Sequence, residues 1–216
     1  MELLIMSRFF RLAIAAVAST VVMALVVSSA PARSFSISNQ QIRAVWSPMI
    51  FRDPLGGVVE CPVTLEGSLH SRTIAKVSYS LIGYITTARV GVPTDCVGGE
   101  ATILNESLPW HVRYFGFDGT LPDITRIRIL LSGGAFRIRN PNGTCLFTLR
   151  DTTAEHGLGN FNRNTTTNQL TSVEVGGEIT SNEACAFGLR IRGRLSGTSI
   201  SLRLLTTNEL IFVRLI

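Results

Sequence analysis

The residue types from which a catalytic or metal site is built are few here, and they are scattered. The three histidines, His70, His111 and His156, share no metal-ligand spacing, and no cofactor or metal is expected. His156 stands beside Asp151 and Glu155 in a long polar loop expected over 151–170. A loop of that length is usually functional or disordered, and no G-x-S-x-G elbow or other nucleophile motif accompanies this one. Asp118 and Asp123 bracket Gly-Thr-Leu-Pro. Their spacing is not that of an EF-hand loop, and a glycosidase acid and base would need a separation in space that sequence does not supply. Asp118, Asp123, Asp151, Glu155 and His156 are therefore the catalytic candidates, set against a plain turn and a solvated loop.

The sharpest surface feature is cationic. Arg190, Arg192 and Arg194 alternate, so they share one face of a strand, and Arg203 is expected across from Arg192 on a facing strand. Such a row could bind an anionic polymer or surface glycan; the competing reading is a charged outer face that keeps a sheet edge from aggregating. Trp110 and Tyr114 could offer a sugar platform, but they share the parity of Leu108 and Val112, which assigns them to the core.

Compartment follows from the first residues. Arg8 and Arg11 precede an apolar run from Leu12 to Val27, then Ser28-Ser29-Ala30-Pro31-Ala32 supplies small residues at A-x-A spacing. This is the pattern of a secretory signal peptide, residues 1–32, cleaved after Ala32. The alternative is an uncleaved membrane anchor, because the run approaches the roughly 20 apolar residues that span a bilayer. The expected location is secreted or cell-envelope, with membrane association only if the leader is retained.

Export gives the four cysteines their meaning, since thiols pair in an oxidising compartment. Their spacing contains no C-x-x-C, so structural disulfides are expected rather than a zinc ribbon or redox pair. Cys61-x-x-Thr64-Leu65 and Cys145-x-x-Thr148-Leu149 echo one another, which favours Cys61–Cys96 and Cys145–Cys185 among the three connectivities. The formal charge of +5 and the use of arginine for all basic residues except Lys76 do not amount to a nucleic-acid signature, and no nucleic acid is expected as partner.

The elements that must position these residues read as strands. Val59, Cys61, Val63, Leu65 and Leu69 hold odd positions against polar even ones, a half-buried strand whose Pro62 suggests a sheet edge. One short helix or a turn is expected near 71–80, then a strand. Three two-residue hairpins are expected. The first, at Asn105-Glu106, pairs Ile103 with Leu108; the second, at Gly133-Gly134, pairs Leu131 with Phe136; the third, at Gly197-Thr198, pairs Leu195 with Ile200. A glycine bulge is the alternative at Gly133, because that hairpin sets Arg128 opposite Arg139. Asn140-Pro141-Asn142-Gly143 is a turn, after which Cys145, Phe147 and Leu149 face inward.

Short strands joined by turns, with no βαβ rhythm, imply one all-β antiparallel domain over 33–216, a β-sandwich first and a small barrel second. The functional expectation is an exported non-catalytic β domain with a structural or ligand-binding role. The alternative is a secreted hydrolase using the acidic residues around 118–123 and 151–156.

Overall fold

Where one face of a segment must be buried, alternating apolar and polar side chains require extended backbone, and the chain is built from such segments. A computed structural model describes residues 34–91, 95–149, 158–181, 185 and 192–216. The leader, residues 1–32, lies outside the described residues. The strands are β1 (Ser34–Ile37), β2 (Gln41–Arg52), β3 (Val58–Leu69), β4 (Thr73–Ala75), β5 (Leu81–Val90), β6 (Glu100–Ile103), β7 (Trp110–Thr120), β8 (Asp123–Ser132), β9 (Ala135–Asn140), β10 (Gly143–Thr148), β11 (Leu158–Asn164), β12 (Gln169–Ser181), β13 (Arg192–Thr198), β14 (Ser201–Leu204) and β15 (Ile211–Leu215).

The antiparallel ladder runs β11-β8-β7-β5-β3-β2-β13-β12, and β12 pairs back onto β11, so the sheet curls into a ring. From the far end of β12 the sheet continues through β10 and β9 to β6. The inward parity of β3 is Val59, Cys61, Val63, Leu65 and Leu69, all buried, as the alternation requires. Trp46, Phe51, Val112, Tyr114, Ile129, Phe147 and Val175 join them in one core. Cys61 is bonded to Cys96 and Cys145 to Cys185.

Several expected pairings are corrected, each for a physical reason. β3 is an interior strand, paired with β2 and β5; Pro62 is tolerated because it faces the register shift between Trp46 and Met49, where the ladder asks for no donor. Residues 71–80 hold β4 and a turn, and no helix. The hairpin at Asn105-Glu106 does not form: Asn105–Ser107 is a turn of 3-10 helix, and Pro109, lacking an N–H, precedes β7. β6 instead pairs β9, setting Ala101 on Ile138 and Ile103 on Phe136.

Gly133-Gly134 is neither a hairpin turn nor a bulge. β8 is flanked by β7 and β11, so neither edge is open to β9, and Gly133 turns the chain away at φ +83°. Arg139 consequently lies opposite Glu100 and Thr144 rather than Arg128. The Gly197-Thr198 hairpin is also absent. β13 and β14 follow one another along the same side of β2, and Ile200, expected in the core, is 68% exposed. Ser199 fixes this break: its hydroxyl accepts from the Val173 N–H at 2.7 Å, and its own N–H donates to the Val173 carbonyl at 2.8 Å. Finally, the polar segment expected to be a loop over 151–170 contains β11.

Candidate functional site

Among the described residues, cavities interrupt the core. One, of about 70 Å³, is lined by residues that include Phe51, Val63, Trp110, Phe136 and Ile179. The other, of about 50 Å³, is lined by residues that include Trp46, Ile85, Val112 and Phe161. Leu65, Leu131 and Val175 belong to both linings and separate the two. Among the described residues no carboxylate or histidine lines either. These volumes admit a few water-sized groups, against the roughly 300 Å³ or more of a small-molecule pocket. Among the described residues these two cavities are packing voids in the core.

On the outer surface, two of the candidate acids share one hairpin. Asp118 and Asp123 both belong to the β7–β8 hairpin, where Asp118 faces Arg126 and Thr120 faces Asp123. The Asp118 carboxylate is held by Arg128, whose Nε is 3.2 Å away. Asp151, Glu155 and His156 fall outside the described residues. Among the described residues no group of three His, Cys, Asp or Glu side chains is placed to hold a metal ion. His70 and His111 flank Tyr84 on the outer face, with ring centroids 4.8 and 5.4 Å from it. Trp110 and Tyr114 are buried, as their parity requires.

The arginines assemble differently from the sequence expectation. Arg190 is outside the described residues. Arg192 and Arg194 are exposed on β13, but Arg203 does not face Arg192, because β14 lies beyond β13 rather than beside it. Arg203 instead faces Arg43 of β2, and Arg194 faces Arg52 of the same strand. Two arginine pairs therefore stand directly across adjacent strands, toward opposite ends of β2. Neither Arg43 nor Arg52 was a sequence candidate, since finding them required knowing that β2 lies beside β13 and β14.

Acids border both pairs. Glu66 of β3 is next to Arg43 in the ladder and accepts from its Nε at 2.7 Å. Glu178 of β12 is next to Arg194. Each row across the sheet thus reads one acid to two arginines, a net positive face.

No known family model, curated protein or solved structure matches this chain. Like charges directly across a ladder, with Cβ atoms about 5 Å apart, repel by up to ~1 kcal/mol per pair. Such pairs are compatible with a stable sheet when an anion, an acid neighbour or solvent screens them, and guanidinium forks match carboxylate, sulfate and phosphate groups.

Proposed function

We propose that the protein is an exported, non-catalytic β domain with a ligand-binding role, and that its ligand is an anionic polymer carried across the outer face of β2, β13 and β14. The observation that carries this reading is the pairing of Arg43 with Arg203 and Arg52 with Arg194. Each pair sets two arginines directly across adjacent strands, where one acidic group can bridge both side chains, and a polymer supplies repeated anions to satisfy both ends of β2. Arg192, exposed beside Arg194, widens the face. The leader pattern and the two disulfides support an extracytoplasmic location, where polyanionic surface glycans are available.

The test uses dextran sulfate and polygalacturonate as probes. The oxidised protein should bind at least one of them, with affinity falling steeply as salt is raised from low to physiological strength. R43Q/R203Q and R52Q/R194Q should each weaken binding by about tenfold or more, the loss of ~1.4 kcal/mol. Because R52Q/R194Q also removes a like-charge pair, its Tm should hold or rise. Undiminished binding by the fourfold variant R43Q/R52Q/R194Q/R203Q, or no binding of either polyanion at low salt, would falsify the proposal.

A further inference from the structure

A second surface, on the β4–β5 turn and β7, breaks two local rules at once. Tyr79 is a bulky residue with φ +66°, in the left-handed region that favours glycine. It is held there from both sides. Its N–H donates to the Tyr114 carbonyl at 2.6 Å, and its carbonyl accepts from Arg113 Nη1 at 3.2 Å. The residue is nevertheless 53% exposed.

The second broken rule lies beside it. In the β7–β8 ladder Tyr114 faces Ile129 and Gly116 faces Arg128, so Phe115 is an extra residue, the member of a β-bulge. Phe115 faces outward by the alternation that turns Trp110, Val112 and Tyr114 inward, and it meets Tyr79 edge-on at 5.7 Å, while the bulge passes the inward parity on to Phe117, which packs against the core. The Phe115 carbonyl accepts from Ser78 Oγ at 3.1 Å, which ties the bulge to the turn.

Polar groups complete the surface. The Arg128 guanidinium lies 5.2 Å over the Phe115 ring, and a side chain at Gly116 would crowd it, with a Cβ 3.1 Å from Nη2. Arg128 Nε and the Asp118 carboxylate are 3.2 Å apart, yet the buried Nε–H makes no hydrogen bond. The two side chains are nevertheless 40% and 41% exposed, so the pair presents a carboxylate acceptor and guanidinium donors to an incoming group. An exposed π-face beside a paired acceptor and donor is complementary to a pyranose, whose C–H face stacks on the ring while adjacent hydroxyls donate to the carboxylate and accept from the guanidinium.

We infer that Tyr79, Phe115, Arg128 and Asp118 form a saccharide-binding subsite. Strained backbone and a bulge at one place fit a site whose geometry is held against local preference. None of the arginines of the β2–β13–β14 face takes part, so this subsite stands or falls separately from the polyanion reading.

The experiment titrates the oxidised protein with cellohexaose, maltohexaose and chitohexaose, three neutral probes, and follows the Tyr79 and Phe115 ring signals by NMR. At least one sugar should shift both rings, with Kd below about 1 mM. Y79G removes the ring where glycine suits the backbone, so its Tm should stay within about 4 °C of the parent while affinity falls at least about tenfold. D118N should show the same loss, and the fourfold arginine variant should bind the sugar unchanged. Silence of both rings toward all three sugars, or parent-like affinity in Y79G, overturns the inference.

Discussion

Asp53 shows how one buried carboxylate can join two turns. It sits in the β2–β3 turn, 7% exposed. Burial pushes its carboxyl upward, but donation from the Gly57 and Leu55 N–H groups and from the Asn140 and Asn142 side-chain amides outweighs this, and the result lies below the usual 3.8. The Asn140 bond is 2.6 Å long and ties the β2–β3 turn to the β9–β10 turn. Because the folded value is depressed, the stabilisation is complete above the unfolded value and is lost as pH falls through the folded one. Asp53→Ala should therefore cost about 2–3 kcal/mol at neutral pH. In chemical denaturation of both proteins, that gap should shrink progressively below about pH 4. A gap independent of pH would show that the charge contributes nothing. The turn at Asn140 was legible from Asn-Pro-Asn-Gly; its partner was not, because Asp53 lies far away in sequence.

At the level of elements, alternation told the inward residues from the outward ones but left the partners open. Phe147 was correctly read as inward from the parity of Cys145 and Leu149, and it is 0% exposed. Its neighbours are another matter: Phe51 at 4.8 Å comes from β2, and Phe136 at 5.8 Å comes from β9. Phe147→Ala should cost about 3–5 kcal/mol, since its void would be walled by residues from three strands. Equilibrium unfolding in urea measures this. Phe115→Ala, on the bulge, should stay within about 1 kcal/mol, since little core packing is lost there. Equal costs at the two sites would refute the distinction drawn between core and surface rings. The bulge itself had no sequence signal, since Tyr-Phe-Gly-Phe leaves open whether the inward parity stays on even positions or passes to Phe117.

Across the whole molecule, the disulfides restrain a sheet whose ring closes through contacts distant in sequence. They span 35 and 40 residues. By chain entropy each should add about 4 kcal/mol, so Cys61→Ala/Cys96→Ala and Cys145→Ala/Cys185→Ala should lower stability by similar amounts. Denaturant midpoints with and without reductant check this, and a reduced protein as stable as the oxidised one would contradict it. The sequence by itself determined the all-β class, the inward cysteines and the outward arginines, because side-chain direction along a strand follows from local geometry of period two. Which strands neighbour one another was decided only in three dimensions. Ladder hydrogen bonds are made by backbone groups common to nearly every residue, so β2 selects β13 and β14 through burial shared across the entire ring. That selection placed Arg43 and Arg52 beside the arginines that the sequence had already singled out.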